Sequence, residues 1–374
     1  MIMACKGVLY TPFFYMGDVV LGEKKKLMGI QTLRAIAFLE IFLGHCGVQW
    51  CAASFGVSIF MILSGFCMAI NYLPKADKFD LSPVSSVKFA FGKIKKLYPL
   101  HLIMVVAIYI IVQMPTSEKA IERLIREVLL LKCWTTYSED YFAYNGVAWY
   151  FSTYLYVCML APYAIKLVSK IKNKAQLLIS GAFVYAVMVG MGYYLTLAQI
   201  PIGDTFAKWA TYINPLYRIL DFSMGVMLGW LFLHRQESDV KNKTMVHLLE
   251  VLAVAAFILQ EYAYLPIKEN YMGIGYNVYF TLSSLLIVWV FAVSGGFVTK
   301  LLNNKVLIWV GNLSGYMFLI HQVVIRGLKM YTGKSLQGNV HLMYIIVATF
   351  VISVIGAYIY IYLEKTANKM KSKS

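Results

Sequence analysis

The sequence predicts an all-α, polytopic integral membrane protein of about ten transmembrane helices with both termini in the cytoplasm, and three observations carry that prediction. Of the 374 residues 60% are hydrophobic and 14% charged, too apolar for a soluble domain of this length. The apolar residues fall in runs long enough to cross a ~30 Å hydrocarbon core. The basic residues, which give a formal net charge of +16, gather in short stretches between those runs.

The runs are centred in residues 30–48, 52–73, 97–114, 147–167, 177–197, 217–234, 246–264, 276–294, 306–329 and 341–363. With the N-terminus inside, about 22 Lys and Arg fall in the inner segments and about 8 in the outer ones, the asymmetry that fixes orientation. The division that follows is a cytoplasmic segment 1–28, one transmembrane domain 29–364 and a basic cytoplasmic tail 365–374. Residues 1–21 lack a small-residue cleavage site after an apolar core, so the first span is expected to act as an uncleaved anchor. The longest outer loop, 115–145, begins with Ile121, Leu124, Ile125, Val128 and Leu129 at helical spacing. That pattern suits either an amphipathic helix on the outer surface or a lid.

Composition also excludes some functions. No segment outside the spans is long enough to build a basic, aromatic-interleaved face, so nucleic acid is not an expected partner. The six cysteines, at 5, 46, 51, 67, 133 and 158, form no C-x-x-C pair, and neither a metal nor a redox motif is expected. They read as small buried apolar residues, with only Cys46 and Cys51 close enough to an outer loop for a disulfide to be conceivable.

Ionisable residues inside spans are costly and are the first functional candidates. Arg34 and His45 are eleven residues apart, about 20° past three full turns and about 16 Å along one helix, so they share a stripe. A cation near the inner face and an imidazole near the outer face suit a reaction whose donor arrives from inside and whose acceptor waits outside. The plain alternatives are an arginine snorkelling to headgroups and a histidine bonding a neighbouring helix. Glu40 points about 120° away from Arg34 and needs another partner. Arg218 and Asp221, at i and i+3, are placed to form an ion pair. His321 lies deep in the ninth run, with Ser314 and Tyr316 earlier on the same helix.

Several segments carry motifs in order. Gly29-Ile30-Gln31-Thr32-Leu33-Arg34-Ala35 is followed by His45; Gly56 to Phe60 is followed by Ser64-Gly65-Phe66; Lys93-Ile94-Lys95-Lys96-Leu97-Tyr98-Pro99 leads into the third run. Trp149-Tyr150-Phe151-Ser152 opens the fourth, Arg218 through Asp221-Phe222 to Gly225 and Gly229 the sixth, and Gly311-Asn312-Leu313-Ser314 runs to His321. Together these resemble acyltransferase family 3, the membrane enzymes that O-acylate bacterial surface polysaccharides and related acceptors. The likeness covers nearly the whole chain from Gly29. It departs where the family carries arginines before Tyr-Pro and this chain has Gly92, Lys93 and Lys96, and where Gly315 and Phe318 stand at tyrosine positions.

The resemblance implies a plasma-membrane enzyme that uses acyl-CoA, most often acetyl-CoA, as donor and a glycan hydroxyl as acceptor, alongside polysaccharide synthesis or export machinery. It implies His45 and Arg34 as catalytic residues, with Lys93, Lys95, Lys96 and Arg34 meeting the donor. Ser64, Gly65, Phe66, Tyr98, Trp149, Arg218, Asp221, Ser314 and His321 would line the cavity, with Ser64 or an N–H near Gly65 as an oxyanion donor. The physical reading agrees: coenzyme A carries about four negative charges, and the lysines before Tyr98 are a landing point below the third span. Lipid headgroups would serve those lysines equally. Succinyl and longer donors fit as well as acetyl. The chain is expected to finish the transfer itself. The rival reading is a transporter or flippase of a glycan or lipid precursor, for which buried Arg and His and many spans are equally suited. A non-enzymatic sensor accounts for the spans and leaves the Arg34-to-Phe66 motifs without a purpose.

Overall fold

A computed structural model of the protein describes residues 28–112, 118–198, 200, 205–235, 242–293, 295–332 and 339–371. The N-terminal segment up to residue 27 and the last three residues of the basic tail lie outside them. Among the described residues the secondary structure is helical, with no strand. The longer helices are α1 (Met28–Cys46), α2 (Ala53–Tyr72), α3 (Pro83–Ile94), α4 (Tyr98–Val112), α5 (Glu118–Val128) and α6 (Ala148–Val168). They continue as α7 (Lys174–Ala198), α8 (Pro215–Leu233), α9 (Lys243–Asn270), α10 (Val278–Val293), α11 (Lys305–Thr332) and α12 (Asn339–Lys371).

Each of the ten apolar runs is occupied by a helix. Eight helical stretches are long and apolar enough to cross a membrane, and α3 with α4, bent by 64° at their junction, make a ninth if taken as one span. The helix in the first run does not meet that test. α1 carries Gln31, Thr32, Arg34, Glu40 and His45 within 19 residues, so the segment richest in chemistry is the least apolar. It is sheltered by protein: α1 packs against α2, α11 and α10 and most of its side chains are buried.

Burial sorts the helices into a centre and a rim. The apolar stretch of α2 is 94% buried, whereas those of α7, α9 and α12 are 17%, 11% and 22% buried. The rim helices therefore present apolar side chains outward, as lipid solvation requires. Local signals set the starts. Ser82 caps α3 by accepting from the Ser85 N–H, with Pro83 in the first turn, and Asn214 caps α8 through the Leu216 N–H, with Pro215 following. Both are the expected cap-then-proline order.

Close packing at the centre depends on glycine. A Cβ on Gly65 of α2 would lie 2.0 Å from the Phe222 carbonyl oxygen of α8, and one on Gly225 would lie 2.0 Å from that of Ile62. With Gly229 one turn on, α8 presents a small-x-x-x-small face to α2, the usual device for close approach of membrane helices. α1 is gripped the same way: a Cβ on Gly56 would meet the Ala37 carbonyl at 2.3 Å, and one on Gly311 of α11 the Gln31 carbonyl at 1.9 Å. These two contacts fix the height and rotation of α1, and so of Arg34 and His45.

The segment after α4 does not simply lie on the surface. α5 is a helix, as its spacing predicts, and Ile121 and Ile125, with Leu129 just beyond, stay exposed along one face. Its far end turns inward: Tyr98 donates from its hydroxyl to Val128 O at 2.9 Å and His101 Nε2 lies 3.0 Å from Glu127 O. Glu127 and Lys132 form a fully buried ion pair there. Arg326 of α11 donates to the carbonyls of Tyr144 and Phe142, and Asn145 Nδ2 donates to Leu319 O at 2.9 Å. The segment is thus wedged against α4 and α11, and its exposed apolar stripe is that of an interfacial helix.

Candidate active site

His45 ends α1 and His321 lies in the middle of α11, 276 residues later, yet Nδ1 of His45 is 2.9 Å from Nε2 of His321. The ring planes are 9° from parallel with centroids 5.2 Å apart, so the two imidazoles meet edge to edge. His321 is fully buried and its Nδ1 lies 3.1 Å from Met317 O; His45 is part-exposed. Phe38, Phe42 and Phe318 pack around the His321 ring at 5.9 to 6.1 Å. The walls of the pair are apolar and its open side is that of His45.

Eleven residues down α1, Arg34 is buried and donates from Nη1 to Gln31 Oε1 at 3.1 Å. It lies within electrostatic reach of Cys67 and Tyr154. From Tyr154 a line of side chains runs both ways. Toward the histidine pair, Tyr154 stacks with Tyr150 at 6.3 Å, Tyr150 meets Phe318 at 5.7 Å, and Phe318 abuts His321. In the other direction Tyr154 is hydrogen-bonded to Cys158, which feels the charge of Lys93. Lys93 stands at a cleft of about 1040 Å³ where α2 ends and α4 begins, walled on its other side by α12. Lys88, Lys95, Lys96, Tyr72 and Glu364 also line it. Lys93 Nζ donates to the Tyr72 hydroxyl at 2.7 Å and lies over the Tyr72 and Phe89 rings.

A cationic cleft lies at one end, a histidine pair at the other and a buried arginine between them, and the family comparison decides the assignment. The family described as "Acyltransferase domain" matches residues 28–362. The chain belongs to this acyltransferase family. The O-acetyltransferase OatA of Staphylococcus aureus (strain NCTC 8325 / PS 47) is 21% identical over 363 residues, covering 93% of this chain and 58% of OatA. OatA of strain COL matches to the same extent. A further protein of that strain, provisionally named O-acetyltransferase SACOL0978, is 21% identical over 322 residues, 83% of this chain and 52% of the relative. The chain therefore spans little more than half the length of these curated relatives. No solved structure matches it.

In this chain the other expected site residues take distinct places. Arg218 and Asp221 do pair, at 3.0 Å and wholly buried. Asn277 completes them, accepting from Arg218 and donating to Asp221 Oδ2 at 2.8 Å. Trp149 packs on Tyr212 at 4.6 Å, and the Arg218 guanidinium lies 5.8 Å from the Tyr212 ring. Ser64 donates to Phe60 O at 2.6 Å, which commits its proton to the helix. Gly65 lies inside an unbroken helix, so its N–H serves the helical ladder and its missing side chain serves the contact with α8. Phe66 packs edge-on to Phe232, Ser314 donates to Gly311 O at 2.8 Å, and Tyr98 is engaged with Val128. Cys46 and Cys51 are free thiols.

Three participants escape the sequence reading. The pairing of His45 with His321 joins distant helices and has no local signature. Asn277 precedes α10 as an uncharged residue in a Tyr-rich stretch. Glu364 on α12 carried a signal that was available, a carboxylate directly after the long apolar stretch of that helix.

Proposed function

We propose that the chain is an O-acyltransferase of the bacterial plasma membrane. It takes an acyl group, most readily acetyl, from acyl-CoA on the cytoplasmic side and places it on a hydroxyl of an extracytoplasmic or lipid-linked glycan such as a capsular polysaccharide or exopolysaccharide. The observation that carries this reading is the single internal line of side chains from the lysine cleft through Tyr154 and Arg34 to His45 and His321. Taking α1 and the bent α3–α4 pair each as one span brings the count to ten and puts both termini on the cytoplasmic face, with the lysine cleft.

In this reading the cleft receives the donor's phosphates. Its volume is at the upper end of the range for small-molecule sites, and Lys88, Lys93, Lys95 and Lys96 supply point charges for phosphate oxygens. The pantetheine arm runs along Tyr154 past Arg34, which holds it, so that the thioester reaches the level of His45 farther along α1. At the outer end His45 takes the proton of the acceptor hydroxyl as its oxygen attacks the thioester carbonyl. The new C–O bond replaces the C–S bond, and the proton passes to the coenzyme A sulfur. The partners are the glycan, acyl-CoA, the bilayer and the machinery that makes or exports the polysaccharide.

The test is complementation of a strain lacking the protein with wild type or His45→Ala at equal membrane levels, reading base-labile acyl groups on the surface polysaccharide by NMR. Acylation restored by wild type and absent with His45→Ala is the expected result. Polysaccharide export that depends on the protein without any acyl signal would replace this reading with a transporter.

A further inference from the structure

The contacts of His321 fix where the protons of the pair sit. The Met317 carbonyl accepts only, so the His321 Nδ1 that faces it at 3.1 Å must carry hydrogen. A neutral imidazole has one N–H, which leaves Nε2 of His321 as a lone pair. That lone pair faces Nδ1 of His45 at 2.9 Å, so the N–H between the rings belongs to His45. The opposite assignment would set the His321 Nδ1 lone pair against the carbonyl lone pairs in a buried, apolar pocket, which is costly. By elimination, Nε2 of His45 carries the free lone pair, and it has no partner among the described residues.

We infer that His321 is a positioning residue that holds His45 in the single tautomer whose Nε2 is the base, through the chain Met317 C=O to His321 to His45. This rests on the acyltransferase reading above and adds to it which nitrogen reacts and what selects it. When the acceptor hydroxyl gives its proton to His45 Nε2, the ring becomes an imidazolium whose Nδ1–H still points at His321. That hydrogen bond is then charge-assisted and shorter, so it is stronger at the moment of transfer than in the resting state. His321 stays neutral throughout, and the proton leaves from His45 Nε2 to the coenzyme A sulfur. The hydrogen bond between the rings and the phenylalanine walls keep both rings from rotating and keep water from substituting for His321.

The test uses three variants whose side chains differ in where they place an acceptor. In His321→Gln the amide oxygen stands near the position of the lost Nε2; in His321→Asn the polar atoms fall at the level of Nδ1 and cannot reach His45; His321→Ala has neither. Purified full-length protein in proteoliposomes is assayed for acyl-CoA consumption with a soluble glycan acceptor. The Ala and Asn variants are expected to lose roughly 100-fold in kcat, and Gln to recover to within about tenfold of wild type. Equal activity of Gln and Asn, or of Ala and wild type, overturns the inference. A second measurement is independent of turnover: nitrogen NMR of ¹⁵N-histidine-labelled protein reads the tautomer of His45 directly. An Nδ1–H tautomer in wild type that becomes mixed in His321→Ala supports the inference, and an Nε2–H tautomer in wild type sinks it. Loss of acyl-CoA turnover in wild type with the Nδ1–H tautomer present would instead count against the acyltransferase reading and leave the pair standing.

Discussion

Lys96 and Glu364 face each other at 3.8 Å across the mouth of the lysine cleft, one at the α3–α4 bend and the other on α12. The two side chains are 23% and 21% exposed, and the Tyr360 hydroxyl donates to Lys96 O at 2.8 Å, which pins α12 to the bend independently of the charges. If the cleft receives the phosphates of acyl-CoA as proposed, the Glu364 carboxylate competes with them for Lys96. Glu364→Gln is therefore expected to lower the KM for acyl-CoA by about two- to fivefold, the range of a part-exposed ion pair, with kcat unchanged. Lys96→Ala raises the same KM. Initial rates at fixed ionic strength check both, and a higher KM in Glu364→Gln would mean that Glu364 orients Lys96 instead of competing for it.

The Arg218–Asp221 pair invites a different expectation because it is wholly buried. Removing one member leaves the other charge without compensation, a loss of about 3–5 kcal/mol. Asp221→Ala should unfold at markedly lower temperature in detergent than wild type. Replacing both charges, as Arg218→Met with Asp221→Leu, should restore most of the lost stability, because the desolvation cost disappears with them. If the double variant is as unstable as the single one, the pair does more than balance charge, and Asn277 is the first residue to examine.

Glycine substitutions separate close contact from mere presence in a helix. Gly225→Val forces a side chain into backbone that a Cβ would already meet at 2.0 Å, so α2 and α8 must part, and the protein is expected to fail to accumulate in the membrane. Gly190 in α7 has nothing within 4 Å of an added Cβ. Gly190→Ala should accumulate normally and gain up to about 1 kcal/mol from helix propensity. Fluorescence size-exclusion profiles of tagged variants compare them directly.

The helices were legible in the sequence because bilayer length and hydropathy constrain a spanning segment more tightly than any soluble fold constrains its helices. Arg34 and His45 were legible as a stripe because both lie on one helix, where spacing alone sets direction. What joins helices was not legible. His321 is a partner of His45 only because Gly311 lets α11 approach Gln31, and no periodicity in either helix encodes that. The 115–145 segment was half legible: amphipathic spacing revealed α5, but the inward turn depends on Lys132, Asn145 and Arg326 satisfying one another across three elements. Nor did the motif around Ser64 and Gly65 show the hydrogen-bonding and packing work that these residues do inside α2.

The segment 118–141 should also respond to acid in a defined window. Glu139 accepts from Lys119 at 2.5 Å and pairs with Arg123 at 3.0 Å, contacts that hold its carboxyl below its ordinary value of 4.5. A carboxyl depressed in the folded state contributes stability that is present above its ordinary value and is lost as pH falls through its lowered folded value. Both side chains of the Lys119–Glu139 pair are more than half exposed, so the effect belongs to local docking of α5 against residues 138–141 and not to global unfolding. Hydrogen exchange over 118–141, corrected for the intrinsic pH dependence of the amides, should rise between pH 5 and 3 in wild type. In Glu139→Gln protection should be lower at pH 5, and the rise should be smaller, because the charged contacts of Glu139 with Lys119 and Arg123 are then absent at every pH. The same rise in both proteins would show that the Glu139 carboxylate does not hold α5 in its docked position.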